Sequence, residues 1–157
     1  MAEDLNEQFI KYLRDNSYLV TRQRKRIAEI LFNTAGHLSV EDIQTLLRQK
    51  EKSASKKISA SKKISASIAS IYRTLEVLIK SNLVVQHRFG KRFKRFEAVR
   101  RDKHHDHLVC LHCGKVLEFK NDIIENLQIE VAREHNFNII NHKLDIYGFC
   151  SKCKSRT

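Results

Sequence analysis

The sequence predicts an α+β chain in two parts: a basic, mostly helical part that ends in a hairpin, then a small neutral part crowded with metal-type side chains. Three observations predict it. The net charge of +12 is carried wholly by residues 1–103, which hold 23 Lys and Arg against 11 Asp and Glu, whereas residues 104–157 hold 7 of each. Apolar residues recur at helical spacing as far as residue 80 and alternate afterwards. All 4 cysteines fall in two C-x-x-C pairs in the last third of the chain.

Residues 5–15 fit a short helix. A second fits 21–34, where Ile27, Ile30, Leu31 and Thr34 share a face. Ser39 with Asp42 has the pattern of a capping box, and Val40, Ile43, Leu46 and Leu47 mark the inner face of a third helix. Residues 53–67, SASKKISASKKISAS, write one hexapeptide twice and begin it a third time. Six residues turn a helix through about 600°, so Ile58 and Ile64 do not share a face and the stretch reads as a basic loop. It is either a tandem duplication carried at the surface, where insertions cost little, or a set of lysines (Lys56, Lys57, Lys62, Lys63) that reach DNA phosphates.

Ile68, Ile71, Leu75, Leu78 and Ile79 form the stripe of a fourth helix over 67–80. LVVQHRFGKRFKRFEAV then reads as a hairpin turning near Gly90 and Lys91. Three helices and a basic hairpin make the pattern of a winged helix-turn-helix. The last helix of that fold enters the major groove of DNA, and the hairpin rests on the backbone. Arg88, Lys91, Arg92, Lys94 and Arg95 suit the wing; a hairpin that is merely solvated would have the same composition. No apolar run approaches the eighteen or so residues of a membrane span. The acidic start, MAEDLNEQ, lacks a basic-then-apolar secretion signal, so a cytoplasmic protein is expected, in which cysteines serve metals more often than disulfides.

The second part begins near residue 103. Strands fit 105–110 and 115–119, with a turn at Cys113–Gly114. A helix opened by Asp122 and Glu125 fits 122–135, and a strand fits 138–148. The edge strands of so small a sheet would pair readily with a second copy. Cys110-Leu-His-Cys113 and Cys150-Ser-Lys-Cys153 are two knuckles, each able to aim both sulfurs at one ion, and together they complete a closed tetrahedral zinc site. A redox C-x-x-C would not need a twin.

HHDH, residues 104–107, adds further ligands. Neighbours in a strand point to opposite faces, so His104 and Asp106 face one side and His105 and His107 the other. That supports two sites back to back, and with the cysteines three. Glu118 in the next strand can reach one of these faces. His142, on the side of Ile140, Leu144 and Ile146, is either a hydrogen-bonded core residue or a ligand. His112 reads as a turn residue. His37 and His87 stand alone in the basic part, as ordinary histidines do.

The strings HHDHLVCLHCGKVLEF, ASIYRTLEVL and NHKLDIYGFC resemble the ferric uptake regulator family of bacterial repressors, over nearly the whole chain from Thr21 to Cys153. The resemblance implies a homodimer with a winged-helix DNA-binding domain over 1–97, a hinge over 98–103 and a metal-binding dimerisation domain over 104–157. It implies structural Zn2+ at Cys110, Cys113, Cys150 and Cys153. A regulatory site is implied at His37, Glu97, His105, His107 and Glu118, and a third site at His104, Asp106, Glu125 and His142. DNA contacts are implied for Ser70, where a threonine is common, and for Tyr72, Arg73, Arg24, Lys91 and Arg92, on a palindromic AT-rich operator.

The function so implied is metal-dependent repression of transcription, with Fe2+ as the regulatory metal and Mn2+ or Zn2+ as substitutes. Imidazole with carboxylate suits all of these ions. The carboxylates at 97 and 118 are glutamates, whereas peroxide-sensing relatives tend to use aspartate. A zinc-responsive uptake regulator and an iron-bound peroxide sensor are the alternatives. Two other classes fit less of the chain. A metallohydrolase would use a His/Asp/Glu cluster with an open position, but there is no H-E-x-x-H and an enzyme leaves the basic hairpin idle. A zinc-ribbon RNA-binding or structural protein leaves HHDH and His142 idle.

Overall fold

Contacts separate two units, Met1–Arg100 and Arg101–Thr157. The computed structural model describes residues 2–55, 66–90, 93–99 and 104–154. Most of the SASKKI repeat, together with Lys91 and Arg92, lies outside the described residues.

The first unit is built from α1 (Ala2–Asp15), α2 (Arg22–Asn33), α3 (Val40–Ser55), α4 (Ile68–Lys80), β1 (Val84–Phe89) and β2 (Phe93–Ala98). Each helix start has a local cause. Thr21 caps α2 by accepting from the Arg24 N–H, and Ser67 caps α4 by accepting from the Ser70 N–H. Ahead of α3, the Ser39 N–H donates to Asp42 Oδ2 at 2.9 Å and the Asp42 N–H to Ser39 Oγ at 3.1 Å. This is the reciprocal capping box expected from sequence. The α3 helix runs through Ser55, so the repeat starts inside a helix rather than in a loop.

Phe9, Leu31, Ile43, Ile71, Leu75 and Phe96 are central to one core shared by the helices and the hairpin. On α4 the expected stripe holds at Ile71, Leu75 and Leu78 but not at Ile68, which is 47% exposed. Ile68 occupies the first turn, before the helix reaches the core, and Val77 and Thr74 complete the buried face instead. Tyr72 and Arg73 lie on the outer side of α4.

β1 and β2 pair antiparallel, from Val84 opposite Ala98 to Phe89 opposite Phe93. Gly90 adopts φ +61 at the turn, a conformation glycine reaches without the Cβ clash of other residues. Leu38 forms an isolated bridge to Phe96, with hydrogen bonds of 2.9 and 2.8 Å in both directions. That bridge ties the segment before α3 to the hairpin. Ala98 is a strand residue, and the Val99 N–H donates to the Leu83 carbonyl at 2.9 Å. The first two residues of the expected hinge therefore belong to the hairpin, and 100–103 lie outside the described residues.

The second unit contains β3 (Asp106–Cys110), β4 (Val116–Phe119), α5 (Asp122–Glu134) and β5 (Asp145–Gly148). The sheet order is β4-β3-β5, antiparallel to β4 and parallel to β5. The last strand is shorter than its apolar pattern implied. Only residues 145–148 pair, because β3 offers partners only from His107 to Cys110, and Ile140, expected to face inward, is 95% exposed. Asn121, one residue before the acidic pair expected to open α5, caps it by accepting from the Ile123 and Ile124 N–H groups.

This unit has little hydrocarbon core. No residue of α5 is buried. Among the described residues the buried apolar side chains here are Val109, Cys110 and Cys153.

Candidate metal centres

The four cysteines converge where β3 and β5 end together. Cys110 pairs with Gly148 across the parallel ladder, which delivers the second knuckle beside the first. The Gly114 N–H donates to the Cys110 carbonyl at 2.9 Å and the Cys153 N–H to the Cys150 carbonyl at 2.8 Å, closing each turn. The four sulfurs all lie within 4.8 Å of one another, and none is in a disulfide. Cys113 Sγ stands 3.8 Å from Cys150 Sγ. Tetrahedral zinc with bonds of about 2.3 Å sets its sulfurs about 3.8 Å apart, so this donor set fits zinc.

Backbone N–H groups of Cys113 and Cys150 pull the Cys110 thiol down to about 6. Burial and the neighbouring sulfurs push Cys153 up to about 12. The protein alone thus readies one thiol and holds another protonated; a divalent cation is what ionises all four. His112 Nδ1 lies 3.6 Å from Cys153 Sγ, so this turn residue touches the knot.

The residues of HHDH sort by side as strand parity requires, although the strand begins only at Asp106. His104 joins Asp106, Glu125 and His142, the group proposed from sequence as a third site. His104 Nε2 lies 3.4 Å from Asp106 Oδ1 and 3.3 Å from Glu125 Oε1, and His142 Nε2 lies 3.3 Å from Glu125 Oε2. Yet both Asp106 oxygens, Glu125 Oε1 and His142 Nε2 are buried without a hydrogen bond. Buried polar atoms left without a hydrogen bond call for an explanation, and an ion bound among them is one. A cation there would satisfy them all.

On the other side, the His105 and His107 rings meet edge to face at 5.1 Å. Glu118 is the direct cross-strand partner of His107. His107 is almost fully buried, and its Nδ1 donates to Asp145 Oδ1 at 3.0 Å, which orients the ring. Asp145 also takes Lys143 Nζ at 2.7 Å and the Tyr147 hydroxyl at 3.3 Å. Burial pushes the Asp145 carboxyl up, but hydrogen bonds and charge from Lys143 and His107 outweigh it and hold the group below the usual carboxylate range. Nothing in the sequence distinguishes Asp145, one polar residue in an apolar run.

In the first unit, His37 Nε2 lies 3.1 Å from Glu97 Oε2, and His87 Nε2 lies 3.2 Å from the same oxygen. His87, read from sequence as an ordinary histidine, is thus beside both residues expected to be ligands. Of the residues expected at DNA, Arg73 leans on its own helix at Ala69 and Ser70. Arg24 donates to the Leu19 carbonyl at 2.6 Å and lies over the Tyr18 ring. Arg88 and Lys94 are exposed on the hairpin.

The ferric uptake regulator family model matches residues 15–147. A ferric uptake regulation protein of Campylobacter jejuni is 33% identical over 152 residues, covering 97% of this chain and 90% of that protein. The Helicobacter pylori ferric uptake regulator, whose structure is described as revealing three functional metal binding sites, superposes with a TM-score of 0.78. It is 32% identical, over 98% of this chain and 94% of that one. A zinc-bound manganese uptake regulator superposes with a TM-score of 0.66 at 32% identity, over 91% of this chain and 98% of that one.

Two outcomes are expected. Cys113→Ser, or a chelator strong enough to strip the thiolate site, unfolds the second unit, because structural zinc contributes on the order of 10 kcal/mol in small domains. Amide exchange should show protection lost from 104–154 and kept in the first unit's core; retained protection in both would refute it. Asp145→Asn should weaken metal binding through His107 by roughly 10- to 100-fold, the usual cost of losing a carboxylate behind a ligating imidazole. Titration calorimetry with Mn2+ measures this, and an unchanged affinity would show that Asp145 does not orient His107.

Proposed function

This chain belongs to the ferric uptake regulator family, and from that premise we propose that ferrous iron is the metal to which it responds. Membership makes the protein a metal-responsive transcriptional regulator that binds DNA as a dimer, and not an enzyme. The described residues contain no helix long and apolar enough to cross a membrane.

The observation that carries the reading is that imidazole–carboxylate donors are gathered separately within each unit: His37 with Glu97 in one, His105 and His107 beside Glu118 in the other. The proposed regulatory site uses both sets, and bound iron supplies a positive centre that joins them and so fixes one orientation of the winged helix. His107 is held for this by Asp145. His104, Asp106, Glu125 and His142 form a further site, and the four cysteines hold structural zinc. Moving a two-state equilibrium from mostly inactive to mostly active takes about 5 kcal/mol of differential binding, which several ligand bonds can supply. The proposed DNA contacts are Ser70, Tyr72 and Arg73 on α4, Arg24 on α2, and the wing residues Lys91 and Arg92, on a palindromic AT-rich site whose half-sites match the two-fold dimer.

Iron over zinc or manganese rests on the similarity to ferric uptake regulation proteins, and the glutamates at 97 and 118 set the chain apart from peroxide-sensing relatives, which tend to use aspartate. The similarity to a manganese uptake regulator keeps that metal as the second reading. The dimer face is proposed on the second unit. Ile123, Leu127, Ile129 and Val131 of α5 and the opposed row Leu117, Leu108 and Ile146 of the sheet are all exposed, more hydrocarbon than a monomer of this size leaves to water.

Anaerobic DNA-binding titration of zinc-loaded protein with Fe2+, Mn2+ and Zn2+ in turn tests the reading. Affinity should rise at least roughly tenfold with Fe2+ at the lowest free concentration of the three, as differential binding requires. Affinity that ignores added metal would sink it, and a preference for Zn2+ would replace iron with zinc. Leu127→Glu should shift sedimentation from dimer to monomer and weaken DNA binding at least roughly tenfold, since a charge at an apolar interface core is left unpaired. A variant that still sediments as a dimer would place the interface elsewhere.

A further inference from the structure

His87 is not explained by the regulator's proposed ligand set. The fold nevertheless places it with care. The hairpin register sets Val85 opposite Glu97 and His87 opposite Arg95, so His87 and Glu97 are diagonal neighbours on one face. The Leu38–Phe96 bridge brings His37 to the same face. Three separate elements thus converge. His37 and His87 both present Nε2 to Glu97 Oε2, at 3.1 and 3.2 Å, and the three side chains are only 2%, 18% and 15% exposed. The two imidazoles lie 4.8 Å apart, and buried Phe89 packs against both rings at 5.8 Å. A ring packed against both imidazoles in this way limits their rotation.

We propose that His87 is a ligand of the metal bound by His37 and Glu97, so that the winged-helix unit carries a two-histidine, one-carboxylate divalent-metal site of its own. The inference rests on the regulatory reading only in taking His37 and Glu97 as ligands. The spacing fits. Donors about 2.1 Å from one ion stand about 3.0 Å apart at right angles and about 3.4 Å apart in a tetrahedron, and the separations of 3.1 and 3.2 Å fall between these values. Two imidazoles and a carboxylate with open positions also suit Fe2+ among the divalent ions. With these three ligands the first unit captures metal before the second unit's ligands engage. The same ligation staples both hairpin strands to the segment before α3, which sets the wing that bears Arg88 and Lys94.

The rival account is that His87 only holds Glu97 by a hydrogen bond. The full-length protein separates the two, with zinc in the cysteine site and His142→Ala to remove the third cluster's competition. Anaerobic Co2+ titration is followed by d–d absorption in this background and with His87→Ala, His87→Gln or His107→Ala added. His87→Gln keeps size and polarity but is a poor ligand. Both His87 variants should weaken Co2+ binding at least roughly tenfold and change the d–d band, the signature of a lost ligand. Wild-type affinity and band in either His87 variant overturn the proposal, including the case where His87→Ala weakens binding and His87→Gln restores it. If the His87 variants lose affinity and His107→Ala does not, the inference stands and the two-unit regulatory site falls. If only His107→Ala weakens binding, the reverse holds.

Discussion

The second unit buries almost no hydrocarbon, and much of its architecture follows from that. A small sheet of three short strands beside a helix with no buried residue cannot offset the conformational entropy of its own ordering by apolar burial. Two things replace a core. One is the four-cysteine cluster, placed where the parallel strands end, so that a single ion would tie the β3 turn to the tail after β5. The other, on the proposed dimer face, would be a second copy over the exposed aliphatic side chains.

β3 is the spine on which this economy is organised. Five residues long, it serves three purposes by alternation and position. Asp106 turns to the cluster with Glu125 and His142, His107 turns the other way toward Glu118 and Asp145, and Cys110 closes the end in the four-cysteine cluster. Shifting the strand by one residue would exchange the two polar faces at once. The register is held by β4 and β5 on either side, and a metal bound by the four cysteines would pin its last residue as well.

Features set by short-range periodicity were legible in the sequence. The twin C-x-x-C pairs, the division of HHDH into two faces and the capping box at Ser39 each depend on residues two to four apart, and the structure places all of them together as read. Features that depend on register were not legible. The expected strand over 138–148 has the right apolar residues, but it can pair only as far as β3 extends. His87 is the sharper case. With a turn at Gly90 and Lys91 alone its face is ambiguous; the observed pairing of Phe89 with Phe93 puts it beside Glu97. Asp145 needed the parallel pairing with His107, which no local pattern encodes.

The same pairing of imidazole with carboxylate recurs in every cluster outside the cysteines: His107 with Asp145, His37 and His87 with Glu97, His104 and His142 with Glu125. Gathering imidazoles and carboxylates away from water carries a desolvation cost that close pairing offsets only in part. Such ligands bind metal in their deprotonated form, so metal binding is linked to proton release. Selectivity among iron, manganese and zinc must follow from geometry and ligand number, since the affinity order of such nitrogen–oxygen sites runs against iron.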